Sequence, residues 1–235
     1  MKAIILAGGK GTRLYPYTVT FPKPLVPIGD KPIIEIVLKQ LARAGVTEAT
    51  VSVGHLAELM IAFLGDGQRL GLPVRYVRED KPLGTIGPLK LVESLPENFL
   101  LMNGDVLTDL DYANFFREHV ASGARVSISA FKKKVNVDLG VLVSEPSGKV
   151  TDYIEKPTYS YDVSMGVYAL NKTVLQHIPD QQYFDFPMLI KVLLAQGEPV
   201  RAVPFEGIWL DIGRPSDYED AQNTFQALRE RILPD

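Results

Sequence analysis

The sequence contains no cysteine, one tryptophan and three histidines. The absence of cysteine excludes a disulfide framework, a thiolate metal site and a cysteine nucleophile, and it suits a reducing compartment. No apolar run approaches the ~20 residues of a membrane span, and the run at residues 3–7 is too short for a signal-peptide core. The sequence therefore predicts a cytoplasmic protein without a membrane segment.

The sequence also lacks a large net charge of either sign. The 25 Lys and Arg residues nearly balance the 28 Asp and Glu residues, for a net charge of −3. This gives no electrostatic reason to expect sequence-independent nucleic-acid binding. Apolar residues, in contrast, make up 46% of the 235 positions. A chain of this length and composition can fill a sizeable core, so we expect one domain over residues 1–235.

The first half alternates apolar runs with segments of helical periodicity. Strands are predicted at residues 3–7, 49–53, 74–77 and 99–102, and helices at 32–45, 55–64 and 87–94. After about residue 111 the pattern loosens, with strands predicted at 126–131, 167–170 and 200–204, a hairpin at 140–143 and 150–154, and helices at 186–194 and 216–228. The alternation predicts an α/β fold with a mixed, mostly parallel sheet flanked by helices.

A glycine-rich loop, GGKGTR at residues 8–13, follows the first predicted strand. Closely spaced glycines let the backbone approach a bulky group and present N–H groups to an anion, which favours phosphate binding. The alternative is a tight surface turn. The loop is neither a Walker motif, because Gly11 follows Lys10, nor a dinucleotide fingerprint, because Leu14 stands at the third glycine position.

A proline-rich segment, FPKPLVP at residues 21–27, holds Lys23 between two prolines. Proline restricts its own and the preceding backbone, so Lys23 is predicted to meet a phosphate from a stiff arm. The alternative is a connector with a solvated lysine. Asp105 and Asp211 each end an apolar run, where two carboxylates would suit Mg²⁺. Taken singly, each aspartate is also explained as a loop or helix-cap residue.

Two further groups of polar residues differ in how well they fit a site. Glu155 and Lys156 stand beside Pro157, where the carboxylate could accept from hydroxyls and the ammonium could meet a phosphate; an exposed ion pair is the alternative. The three histidines, by contrast, lack metal-ligand or triad spacing. We interpret His55, His119 and His177 as structural or surface residues.

Seven segments together resemble the sugar-1-phosphate nucleotidylyltransferase family. They are LAGGKGTRL at 6–14, PKPL at 22–25, KPI at 31–33, PLGT at 82–85, NGD at 103–105, EKP at 155–157 and WLDIG at 209–213. The resemblance covers nearly the whole chain, and it is nearest to mannose-1-phosphate guanylyltransferase-like members that lack the C-terminal β-helix domain.

The resemblance implies a Rossmann-like nucleotidyltransferase fold. Residues 1–110 would bind a nucleoside triphosphate, and residues 111–235 a sugar 1-phosphate whose oxygen attacks the α-phosphate with release of pyrophosphate. Arg13 and Lys23 would be catalytic, and Asp105 and Asp211 would hold Mg²⁺. The nucleotide contacts would be Leu6, Ala7, Gly8, Gly9, Gly11, Thr12, Glu79, Gly84 and Thr85. The sugar-phosphate contacts would be Gly140, Glu155, Lys156 and Gly166.

The nucleobase depends on Glu79. Relatives that use uridine or thymidine triphosphates commonly carry glutamine there, whereas a carboxylate suits the N–H groups on the pairing edge of guanine. We therefore expect GTP, with mannose 1-phosphate or a related hexose or heptose; a surface position for Glu79 is the alternative.

Two departures from the family pattern qualify this expectation. Ser164-Met165-Gly166 replaces Asn-Ala-Gly, which leaves the sugar open, and the sequence ends soon after the helix predicted at 216–228, so we expect no β-helical domain. A thymidylyl-, uridylyl- or cytidylyltransferase acting on glucose 1-phosphate, a regulatory subunit that binds sugar nucleotides, and a homodimer also stay open. No nucleic-acid or membrane partner is expected.

Overall fold

The computed structural model describes residues 1–233 and contains one large sheet with three small two-stranded pairs. The strands are β1 (Lys2–Ala7), β2 (Pro27–Ile28), β3 (Lys31–Pro32), β4 (Glu48–Val53), β5 (Val74–Arg78), β6 (Asn98–Asn103), β7 (Val106–Thr108), β8 (Val126–Asn136), β9 (Val141–Ser144), β10 (Val150–Ile154), β11 (Thr158–Asn171), β12 (Val200–Phe205) and β13 (Trp209–Asp211). The helices are α1 (Ile33–Arg43), α2 (Ala57–Leu64), α3 (Tyr112–Ser122), α4 (Phe186–Ala195) and α5 (Pro215–Ile232).

The large sheet has the strand order β12-β8-β11-β6-β1-β4-β5. β11 runs antiparallel to both of its neighbours, whereas the other adjacent pairs are parallel. The predicted mixed, mostly parallel sheet flanked by helices is therefore confirmed. Because β1, β4, β5 and β6 run in one direction, the loops that follow them meet at one edge.

Apolar residues alternate between two cores, one on each face of the sheet. In β1, Ile5 points into the core that also contains α1, α2 and parts of α3 and α5. Ile4 points into the opposite core with Phe99 and the apolar face of α4. Since both faces are covered, β1 and β6 are apolar through their middles and carry polar side chains only at their ends, whereas β4 also buries Thr50 and Ser52.

The second half differs most from the sequence prediction. Helix α3 was missed, although Asp111 caps its first turn by accepting the Asn114 N–H at 2.8 Å and Gly123 ends it in a left-handed conformation. β8 and β11 extend well beyond residues 126–131 and 167–170 as an exposed ribbon rich in polar side chains. The predicted hairpin is confirmed as β9 paired antiparallel with β10.

One predicted helix was wrong. Residues 87–94 form only a 3-10 helix over Gly87–Leu91, because the backbone N–H groups of Ile86 and Gly87 bond to the Phe184 carbonyl at 3.1 Å. That tertiary pairing fixes a short, tight segment where the apolar spacing favoured a longer α-helix. Among residues 1–233, the helices are all too short or too polar to cross a membrane.

Candidate active site

A cavity of about 860 Å³ lies at the edge where β1, β4, β5 and β6 end. It is lined by all the residues predicted to be catalytic or to contact nucleotide, together with one predicted metal ligand: Leu6, Ala7, Gly8, Gly9, Gly11, Thr12, Arg13, Lys23, Glu79, Gly84, Thr85 and Asp105. Its basic lining residues are Lys10, Arg13, Lys23, Arg78 and Lys81. The lining also contains the carboxylates of Glu79, Asp80, Asp105 and Asp185. A concave site of this kind, with several charged groups converging on it, is typical of a ligand-binding pocket.

The glycine loop needs glycine for two different reasons. A Cβ on Gly8 would stand 2.5 Å from Glu79 Oε1, so this position must stay small. Gly11 has a φ of +62°, and the Thr18 hydroxyl fixes it by donating to its carbonyl at 2.8 Å. A Cβ on Gly9 would meet nothing within 4 Å. The loop is therefore held at Gly8 and Gly11, whereas the space around Gly9 is open towards the cavity.

Lys23 opens a short 3-10 helix, Lys23–Leu25, between two prolines, which confirms the stiff arm. Its side chain is buried and forms an ion pair with Asp105 Oδ2. Asp105 Oδ1 is buried and has no hydrogen-bond partner within residues 1–233. Since a buried polar atom without a partner is costly, this oxygen is a candidate ligand atom.

Asp211 reaches the same place from the other half of the chain. β13 pairs antiparallel with β7 and sets Asp211 opposite Val106, while the Ile212 N–H donates to the Asp105 carbonyl at 3.3 Å. Although Asp211 as a whole is exposed, the protein atoms around its carboxyl raise the pKa by desolvation, and the charge of Asp105 raises it further, with Lys23 opposing. A bound cation would stabilise the ionised carboxylate of Asp211 and offset its repulsion by Asp105. The structure thus brings the two aspartates together, although Asp211 is not among the cavity-lining residues.

Glu79 follows β5, is half-buried and lines the cavity. Its Oε1 accepts from the Ser52 hydroxyl at 3.0 Å, and its Oε2 accepts from the Leu83 N–H at 3.0 Å. A carboxylate has about four acceptor positions. With two of them used internally, Glu79 keeps capacity to accept further hydrogen bonds from a group in the cavity.

The residues predicted to bind the sugar phosphate do not line this cavity. Among the described residues, Gly140, Glu155, Lys156 and Gly166 are all outside its lining. Glu155 and Lys156 follow β10 and are exposed; the Tyr153 hydroxyl donates to Glu155 at 3.0 Å.

The two predicted glycines differ in their distance from the cavity. A Cβ on Gly140 would stand 2.0 Å from the Tyr153 hydroxyl, so Gly140 belongs to the hairpin region. Gly166, in contrast, lies next to the cavity. A Cβ on Gly166 would meet Asn103, which does line the cavity, at 2.7 Å.

Sequence reasoning missed several lining residues. His55, interpreted as structural or surface, lies in the lining with Gly54, and both follow β4, so the strand-end rule was a usable signal. Tyr183 and Asp185 reach the cavity from the segment before α4, which carried no local signal. His119 is buried and shares a 2.9 Å hydrogen bond between its Nδ1 and Ser127, which confirms a structural role.

Comparisons with known proteins agree with this geometry. The profile of the Nucleotidyl transferase family matches residues 2–227. UTP–glucose-1-phosphate uridylyltransferase of Synechocystis sp. is 35% identical over 94% of this chain and 62% of its own length. Mannose-1-phosphate guanylyltransferase 1 of Arabidopsis thaliana is 36% identical over 93% of this chain and 63% of its own length. The chain thus spans less than two thirds of these curated relatives.

A solved structure extends the comparison to the fold. The crystal structure of HddC from Yersinia pseudotuberculosis complexed with GMP-PN superposes with a TM-score of 0.72 and 27% identity, covering 95% of this chain and 99% of that one. The shared fold, the motifs at the strand ends and the family profile all point the same way. The chain belongs to the nucleotidyl transferase family.

Proposed function

We propose that this chain transfers a nucleotidyl group from a nucleoside triphosphate to a sugar 1-phosphate. A sugar-phosphate oxygen forms a bond to the α-phosphorus, the bond between that phosphorus and the bridging oxygen breaks, and pyrophosphate leaves. The observation that carries the proposal is the buried Lys23–Asp105 pair beside the glycine loop. Phosphoryl-type transfer depends on positioning and charge neutralisation more than on a nucleophilic side chain.

Three parts of the site would contact the phosphates. The glycine loop would hold the triphosphate, Arg13 would neutralise the leaving pyrophosphate, and Lys23 would meet charge on the reacting phosphates. Two carboxylates, one with an open buried oxygen, fit Mg²⁺, which takes one or two carboxylates and leaves other positions to phosphates and water. When bound by Asp105 and Asp211, the ion would supply electrostatic stabilisation of the reacting phosphates.

We further propose GTP as the nucleotide. The remaining acceptor capacity of Glu79 matches the adjacent N–H donors of guanine, whereas uracil and thymine present a donor flanked by acceptors. The GMP-PN complex of the HddC structure and the guanylyltransferase relatives support this choice. The names of the same relatives lead us to propose mannose 1-phosphate as the acceptor. Because a uridylyltransferase is also 35% identical to this chain, UTP with glucose 1-phosphate is the second candidate.

The experiment measures pyrophosphate release with Mg²⁺ while GTP, UTP, CTP, ATP and dTTP are crossed with mannose, glucose and heptose 1-phosphates. We expect the highest kcat/KM for GTP with mannose 1-phosphate. Activity confined to UTP or dTTP would overturn the base assignment and leave the reaction class standing. A folded chain that binds nucleotide without turnover of any pair would contradict the proposed function.

A further inference from the structure

The segment that opens α4 is bonded to the loop at residues 83–87, which borders the nucleotide cavity. The Phe184 carbonyl accepts the N–H groups of Ile86 and Gly87 at 3.1 Å, and the Phe184 N–H donates to Leu83 at 2.9 Å. These backbone bonds hold the two ends of the 83–87 loop. They do not reach its tip, Gly84 and Thr85, which both line the cavity.

The tip is held by the side chain of Asp185. Its Oδ1 accepts the Thr85 N–H at 2.9 Å and the Thr85 hydroxyl at 3.2 Å. Its Oδ2 accepts from the Tyr183 hydroxyl. An ionised acceptor makes these bonds stronger than bonds between neutral groups.

Asp185 makes these contacts instead of the hydrogen bond to its own helix that an N-cap position favours. It is the N-cap residue of α4, yet its side chain does not cap that helix. The Thr85 hydroxyl takes over part of the cap by accepting the Phe186 N–H at 2.8 Å. Asp111 at the start of α3 is the contrasting case, because its carboxylate caps its own helix. The carboxylate of Asp185 is thus diverted from its helix to the 83–87 loop.

The backbone of the tip is shaped for this contact. Gly84 has a φ of +79°, and a Cβ there would stand 2.8 Å from Asp185 Oδ1 and 2.7 Å from the Phe184 carbonyl oxygen. The glycine is therefore required by the close approach of the 183–186 segment, as well as by its place in the cavity lining.

From this geometry we propose that Asp185 is a positioning residue for the nucleotide. Its carboxylate fixes the tip of the 83–87 loop, so that Gly84 and Thr85 present a constant surface to the nucleoside triphosphate. The inference rests on the proposed function for the identity of the ligand. Asp185 also borders the cavity, but its two carboxylate oxygens accept from Thr85 and Tyr183, so we infer that it acts through the loop and not on the reacting phosphates.

The test compares Asp185→Ala with Asp185→Asn. Asp185→Ala removes a charged acceptor from two donors and should raise the KM for GTP about 10-fold or more, with kcat and the KM for the sugar 1-phosphate changed much less. Asp185→Asn keeps one acceptor oxygen and should restore most of the loss. Equal impairment in both variants, or an unchanged KM in Asp185→Ala, would overturn the proposal.

The matched control is Asp111→Ala, which removes a true helix cap far along the chain from the 83–87 loop and should leave the KM for GTP unchanged. An equal rise in that control would assign the effect to general destabilisation and contradict the proposal. Hydrogen exchange supplies a readout without turnover: the amides of Thr85 and Ile86 should exchange faster in Asp185→Ala than in wild type. Unaltered exchange would also contradict it.

Binding of GTP alone, measured by calorimetry, separates this inference from the proposed function. Weaker binding in Asp185→Ala together with faster loop exchange supports the inference even if wild type turns over no tested pair. An active wild type with unaffected Asp185→Ala would retain the function and remove the role of Asp185.

Discussion

The two groups of predicted site residues lie in contrasting surroundings. At the edge formed by β1, β4, β5 and β6, Lys23, Asp105 and Glu79 already have protein partners, in the Lys23–Asp105 pair and in the bonds of Glu79 to Ser52 and Leu83, although Arg13 is exposed. At the β9–β10 hairpin, Glu155 and Lys156 are exposed. The contrast indicates that the proposed nucleotide side is organised before ligand binding, whereas the hairpin has less to hold its side chains in place.

The backbone of the hairpin carries one informative feature. Lys156 has a φ of +45°, in the left-handed region that non-glycine residues seldom adopt. Such conformations cost free energy and cluster at ligand-binding sites. This observation leads us to propose, as the resemblance implies, that Lys156 contacts the sugar phosphate although it lies outside the cavity lining.

The largest expected effect is at the organised edge. Asp105→Asn should lower kcat by at least ~10²-fold, because it weakens both the pairing with Lys23 and the proposed metal site. The half-saturating Mg²⁺ concentration should rise as well. Steady-state kinetics over a Mg²⁺ series, with circular dichroism to check folding, measures both. Near-normal turnover would remove Asp105 from the reaction.

At the hairpin, Lys156→Ala should raise the KM for the sugar 1-phosphate about 10-fold while leaving the KM for GTP unchanged. Lys149, an exposed lysine in the turn of the same hairpin, provides the matched control. Lys149→Ala should leave both constants unchanged. If the two variants behave alike, the hairpin does not bind the sugar phosphate through Lys156.

Glu79→Gln tests whether the organised edge also selects the base. The amide keeps one acceptor oxygen but replaces the other with donors, so the kcat/KM preference for GTP over UTP should fall about tenfold. Ser52→Ala serves as the comparison, because it removes an internal donor to Glu79 without changing the carboxylate. The same nucleotide ranking in wild type and Glu79→Gln would exclude Glu79 from base recognition.

The smallest expected effect concerns acid stability. Burial lowers the pKa of His119 to about 4, with the Leu170 carbonyl opposing. Since the unfolded chain takes up this proton near pH 6.5, stability is complete above that pH and falls as the pH drops towards 4. Acidification from pH 7 to 5.5 should cost about 1 kcal/mol through this group.

The measurement for His119 is urea unfolding at both pH values, in wild type and in His119→Asn. The drop in the free energy of unfolding should be smaller in the variant. An equal drop in both proteins would mean that His119 does not contribute to the acid sensitivity.

The sequence predicted well which residues meet at the edge of β1, β4, β5 and β6, because the signals are local. The glycine loop and Asp105 follow apolar runs that fold as buried strands, Lys23 stands between two prolines, and parallel strands carry their ends to one edge. Helix α3 was missed because its buried face, Tyr112, Phe115 and His119, is interrupted by polar residues. The ribbon of β8 and β11 was underestimated since its exposed ends lack an apolar pattern.

Tertiary contacts explain the remaining differences. Asp185 and Thr85 are far apart in the sequence, and their pairing leaves no periodic trace in either segment. The hairpin at 140–154 was predicted correctly, yet its distance from the cavity depends on the length of the β8–β11 ribbon. Local patterns thus predicted several strands and helices of the second half, but they could not predict where its polar residues lie relative to the cavity.

The antiparallel pairing of β7 with β13 brings Asp105 and Asp211 together, so the proposed metal site requires both halves of the chain to be folded. Asp105 lies between β6 and β7 near the middle of the chain, whereas Asp211 ends β13, which follows every strand of the large sheet. A chain whose synthesis has not reached β13 contains the glycine loop, Lys23 and Asp105 but lacks Asp211. Because contacts of such long sequence separation form late, the proposed cation pair belongs only to the finished fold.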